Sequence, residues 1–167
     1  MKKFLLIYSS LLVAQLPAPQ EWGESVTGVK NRFKTTEKRI ALTFDLCGGR
    51  TDGYDRRYVD YLTKNQIPAT VFVAGAWIER HPNEFKELIA NPLFAIENHG
   101  TRHRPCSING RSAYGIPGTE SPEALYQEVE PNALRIEEHT HKKPKFYRSG
   151  TAYYDEIAVK MVQELGY

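Results

Sequence analysis

Ile40-Ala41-Leu42-Thr43-Phe44-Asp45 is an apolar run of strand length that ends on a carboxylate, with Gly48-Gly49 close behind. Three further runs share this form. Ala69 to Gly75 (ATVFVAG) is rich in β-branched residues and follows Pro68. Phe94 to Asn98 (FAIEN) enters His99-Gly100, and Lys145 to Arg148 (KFYR) stops at Ser149-Gly150. Helical patterns fill the intervals. Asp55 to Lys64 carries Val59 and Leu62 on one face, and Asn83 to Ala90 carries Phe85, Leu88 and Ile89. Ser121-Pro122 places an N-cap residue before a first-turn proline and opens a helix toward His139. Pro131 is expected to kink or break that helix, because an interior proline costs about 3 kcal/mol. Asp155 to Leu165 has an apolar stripe of Ile157, Ala158, Met161, Val162 and Leu165, with Gly166 as its stop. Alternating strands and helices predict an α/β fold, a parallel sheet buried under helices.

The chain of 167 residues is of single-domain size, and 41% hydrophobic with 25% charged residues excludes wholesale disorder. A formal charge of +2, which includes Lys2 and Lys3, gives no footprint for nucleic acid. Lys2-Lys3 followed by the apolar run Phe4 to Ala14 reads as a secretory signal peptide over residues 1–18. That run is too short for a stable span of a hydrocarbon core about 30 Å thick. Export to the periplasm or the extracellular space is therefore expected. Residues 19–38 lack apolar periodicity and read as a solvated lead-in to a domain over 39–167.

Asp45, His99 and Arg148 each stand at the carboxyl end of a predicted strand or one residue past it. Active sites of parallel α/β sheets and barrels assemble on that edge. His99 and His103 form H-x-x-x-H, a metal-clip spacing on a helix; Gly100 and Pro105 here require a strand-to-loop turn instead. His139 and His141 lie in a basic stretch expected to be solvated, and His81, before Pro82, is expected to be structural. Tyr153 and Tyr154 are expected in the core unless their loop is exposed, where they would suit sugar stacking.

TFDLCGG (Thr43 to Gly49), NHGTRH (Asn98 to His103) and FYRSGTAYYDE (Phe146 to Glu156) resemble, in order and spacing, the first three motifs of the polysaccharide deacetylase family, the NodB-homology domain. The resemblance implies a distorted (β/α) barrel of fewer than eight strands with a divalent metal, usually zinc. It implies a hydrolase that removes acetyl groups from N-acetylated glycans, or in some members from O-acetyl esters. Carried over by position, Asp45 is the general base, His99 and His103 are metal ligands, and Arg148 orients the base.

Two departures stand out. The family's second aspartate, a metal ligand, is here Leu46, so the third ligand falls to Asp45, Asp52 or Asp55. The late motifs, with a leucine-x-histidine that supplies the general acid, have no counterpart before Tyr167, so an incomplete domain of weak activity is expected. These departures also support an alternative, a non-catalytic glycan-binding or scaffold domain derived from such an enzyme. Cys47 and Cys106 follow Asp45 and His103 and are expected to pair as a disulfide in an exported chain. Free buried thiols, or one thiolate as the missing metal ligand, are the alternatives.

Overall fold

In the computed structural model, which describes residues 17–167, three of the four apolar runs are strands. They are β1 (Thr43–Leu46), β2 (Ala69–Val73) and β3 (Phe94–Asn98), all parallel and ordered β1-β2-β3. Asp45 lies opposite Phe72, and Phe72 opposite Glu97, so the three carboxyl ends share one edge. The fourth run does not form a named strand. Tyr147 makes a single parallel bridge to Asn98, formed by Asn98 N donating to Phe146 O at 3.2 Å and Arg148 N donating to Asn98 O at 2.9 Å. This is an α/β fold whose sheet forms part of a barrel wall.

The helices are α1 (Arg56–Lys64), α2 (Gly75–Arg80), α3 (Pro82–Ala90), α4 (Pro122–Thr140) and α5 (Glu156–Glu164). The cap read from the sequence is made, Ser121 accepting from Ala124 N, and Asp155 caps α5 in the same way, accepting from Ala158 N. The short α2 has no counterpart in the apolar pattern. A first core joins Val71, Val73, Trp77, Phe85, Leu88 and Ile136, with Phe44 and Leu46 packed against it. A second joins Cys106, Leu125, Val129, Tyr154, Ala158 and Val162.

Pro131 does not break α4, which runs unbroken from Pro122 to Thr140. A proline has no N–H for the carbonyl four residues back, here that of Gln127. The Thr101 hydroxyl shares its proton between Gln127 O at 3.1 Å and Glu128 O at 3.0 Å, and Thr101 N donates to Glu128 O at 2.8 Å. Asn98 Nδ2 reaches Val129 O at 2.8 Å. The carbonyls around the proline thus tie α4 to the segment leaving β3.

Most of the signal-peptide stretch, residues 1–16, lies outside the described residues. The lead-in is less solvated than expected. Gly23 pairs with Tyr154 in an antiparallel bridge, and Val26 is buried in the second core. Tyr154 is a core residue whose hydroxyl accepts from Ser149 N at 3.0 Å. Tyr153 is half-buried against Trp22 and Tyr114. His81 stacks on Trp77 at 4.9 Å and is structural; His139 and His141 are exposed. Among the described residues, no helix is long and apolar enough to cross a membrane.

Candidate active site

Strand alternation in β1 separates the polar from the apolar side chains. Leu42, Phe44 and Leu46 pack on the first core, while Thr43 and Asp45 face the other way. Arg148 reads that polar face. Its Nη1 donates to Asp45 Oδ1 at 2.5 Å and to Thr43 Oγ1 at 3.3 Å, and its guanidinium lies 4.1 Å from the Phe72 ring centroid. Three contacts fix the planar group, and it in turn orients the Asp45 carboxylate.

His99 follows β3 directly and is only 1% exposed. Its Nδ1 lies 2.9 Å from the Arg148 carbonyl oxygen. A carbonyl only accepts, so Nδ1 carries the proton and Nε2 keeps its lone pair. Nε2 lies 3.9 Å from Asp45 Oδ2 and 3.7 Å from Cys47 Sγ. Burial lowers the His99 pKa to about 4, against the opposing pull of Asp45. The ring is therefore neutral at neutral pH, and its contact with Asp45 is not an ion pair.

His103 sits at φ +61° with its ring edge-on to His99, centroids 4.8 Å apart. Burial lowers its pKa as well. Two features hold this loop. The buried Glu128 of α4 accepts from Arg102 N at 3.0 and 3.1 Å and from Arg104 N at 3.0 Å. Gly150 presses against His103, where a Cβ would fall 2.1 Å from the His103 carbonyl.

The cysteines are both free, which corrects the expected disulfide. The reason is direction. Cys106 turns into the second core, fully buried, with Sγ 3.2 Å from the Tyr147 hydroxyl. Cys47 turns toward the histidines. Burial first, then Asp45 and Asp52, push the Cys47 thiol up to about 11. The donor atoms of Cys47, His99 and His103 all lie within 4.8 Å of one another. Two nitrogens and a sulfur at this spacing fit a zinc-type site with three protein ligands and an open fourth position. Of the candidate carboxylates, Asp55 caps α1 and pairs with Arg57, away from the cluster. Asp52 accepts from Gly49 N at 2.6 Å, bracing the loop after β1.

The sequence profile named "Polysaccharide deacetylase" matches residues 32–167. The chain belongs to the polysaccharide deacetylase family. The peptidoglycan-N-acetylmuramic acid deacetylase PdaA of Bacillus subtilis is 26% identical over 134 residues, 80% of this chain and 46% of that protein. A family 4 carbohydrate esterase from Bacillus anthracis superposes with a TM-score of 0.65 at 26% identity, covering 80% of this chain and 58% of that one. A family 4 pseudoenzyme from Bacillus anthracis, 20% identical with a TM-score of 0.62, covers 78% of this chain and 42% of its own and shares the fold. The chain spans about half the length of the curated relatives it matches, 46% and 52%.

Among the positions read from this polysaccharide deacetylase sequence, Asp45, His99, His103 and Arg148 come together, and Asp55 does not. Thr43 and Glu128 were not legible as site residues. Thr43 shares the period-2 face of Asp45, a pattern that does point to it. Glu128 lies on a helix far along the chain, and no local pattern reveals a carboxylate serving backbone N–H groups.

Proposed function

We propose that this chain carries the site of an exported, metal-dependent hydrolase that removes acetyl groups from an N- or O-acetylated glycan. The observation that carries this is Arg148, which orients Asp45 through its side chain and His99 through its carbonyl on one sheet edge. Family membership supports acetyl removal, and the name of the Bacillus subtilis relative points to a cell-wall glycan. Lys2-Lys3 with the apolar run after them supports export to the periplasm or beyond, where such glycans lie. Residues 39–167 then form the catalytic domain.

His99 Nε2 and a His103 ring nitrogen would hold the metal. A divalent cation held there, zinc by its nitrogen-rich donor set, would polarise the acetyl carbonyl and lower the pKa of water to about 7. Asp45 has Oδ1 engaged by Arg148, which leaves Oδ2 to take the proton of the attacking water. The water oxygen bonds to the acetyl carbon, the C–N or C–O bond to the sugar breaks as the proton held on Asp45 passes to the leaving nitrogen or oxygen, and acetate and the freed amine or hydroxyl are the products. Arg148 keeps the carboxylate from rotating away during proton transfer.

Acetate release is the direct test, on N-acetylated chito-oligosaccharides, peptidoglycan fragments and an O-acetylated aryl ester. The expected result is slow release that a chelator abolishes and zinc restores. Retention of the glycan with no acetate released under any metal would favour the glycan-binding reading.

A further inference from the structure

We propose that the Cys47 thiolate is the third protein ligand of this metal site, at a position where a carboxylate was expected. The inference rests on the metal-dependent reading above and names what completes that site.

Strand alternation makes Leu46 unavailable. It points with Phe44 into the core, whereas residue 47 returns to the side of Thr43 and Asp45. The turn that follows is fixed. Gly48, at φ +82°, lies so close to α2 that a Cβ would fall 2.5 Å from Trp77 N and 2.8 Å from the Ala76 carbonyl carbon. Arg80 binds the Gly48 carbonyl, and Asp52 holds Gly49 N. Cys47 is thereby aimed at the histidines by a braced turn.

Its sulfur is at ligand distance from its neighbour. Tetrahedral zinc with its usual bond lengths sets a sulfur and a nitrogen about 3.6 Å apart. Cys47 Sγ and His99 Nε2 are 3.7 Å apart. The His99 lone pair is buried and aimed here, because Nδ1 is committed to the Arg148 carbonyl, the outer contact typical of a metal-bound histidine. Of the carboxylates, Asp45 keeps Oδ2 free for its role as base, Asp52 turns one oxygen to Gly49 N, and Asp55 pairs with Arg57; among the described residues, the donor that clusters with both histidines is the Cys47 sulfur.

A cysteine–histidine nucleophile is the competing use of this pair. That use leaves His103 without a role, although its donor nitrogen lies within 4.8 Å of both the Cys47 sulfur and the His99 nitrogen. A dication binding here displaces the thiol proton to solvent, one proton per metal. The sulfur makes the site soft, so zinc, cobalt and cadmium are favoured over magnesium and manganese.

The test loads the full chain with Co²⁺ alone and records the near-ultraviolet sulfur-to-cobalt charge-transfer band. The expected result is one Co²⁺ per chain with that band. Cys47→Ser should lose the band while keeping its circular dichroism, and should bind Co²⁺ more than about tenfold more weakly, since even outer-shell changes cost 10–100-fold. Prior Zn²⁺ binding should protect Cys47, mapped by peptide separately from Cys106, from alkylation; these two wild-type measurements decide the matter if the variant does not fold. Stoichiometric Co²⁺ without the band, or undiminished affinity in Cys47→Ser, overturns the thiolate and leaves the metal-dependent reading standing. No Co²⁺ binding by the wild type overturns both.

Discussion

His99 donates its Nδ1 proton to the carbonyl oxygen of Arg148 at 2.9 Å, while the Arg148 side chain holds Asp45 at 2.5 Å. One residue past the Tyr147 bridge therefore sets the orientation of both His99, the proposed ligand, and Asp45, the proposed base. The two functions are separable, because a substitution removes the side chain and leaves the carbonyl.

Arg148→Ala is expected to keep Zn²⁺ binding and lower kcat by roughly 10²-fold or more, the scale of losing an aligned general base. Asp45→Asn should show the same pattern. Steady-state acetate release alongside Zn²⁺ titration checks this; loss of metal binding in Arg148→Ala would mean that its side chain also supports the ligands.

Much of this arrangement was legible because the sheet is parallel and buried. Apolar runs marked β1, β2 and β3, and chemically distinctive residues at their carboxyl ends marked the site. Other features were misread. The run from Lys145 to Arg148 looks like a strand but meets β3 at a single bridge, a property of its partner. Pro131 reads as a helix breaker until Thr101, thirty residues earlier, is seen to serve the freed Gln127 carbonyl. Cys47 and Cys106 read as a pair because sequence does not show that Cys106 turns into the second core while Cys47 turns toward the histidines.

Acid should weaken the fold through His99. Burial depresses its folded-state pKa to about 4 from an ordinary 6.5, so between these values the unfolded chain binds a proton that the folded one refuses. This contribution is present above pH 6.5 and is lost as pH falls toward 4. Glu128 acts in the opposite sense, since burial raises its pKa from 4.5 to about 7, and its neutral form is favoured as pH falls. Comparison with His99→Gln isolates the histidine. In metal-free urea titrations, the stability of the wild type relative to this variant should fall by about 3 kcal/mol from pH 7 to pH 4. Parallel pH profiles would contradict the depressed pKa.

Glu128→Ala should weaken Zn²⁺ binding by about 10–100-fold without touching a ligand, as expected for an outer partner of the site. It frees the Arg102 and Arg104 N–H groups that fix the His103 loop. Calorimetric Zn²⁺ titration gives the readout, and unchanged affinity would show that the loop holds its shape unaided.

Thr101→Val should cost about 1 kcal/mol by leaving the Gln127 carbonyl without its donor. In a Pro131→Ala background the new backbone N–H serves that carbonyl, so the same substitution should cost less. A double-mutant cycle in urea measures the coupling, and strict additivity would refute it.

The central claim is that this sheet edge is a metal centre built on two histidines. Equilibrium dialysis of the full chain against Zn²⁺, followed by elemental analysis, tests it most directly, with His99→Ala and His103→Ala run beside the wild type. The account predicts one zinc per wild-type chain and a loss of that zinc in each variant whose circular dichroism is unchanged. A wild type without stoichiometric zinc, or either folded variant retaining it in full, would contradict it.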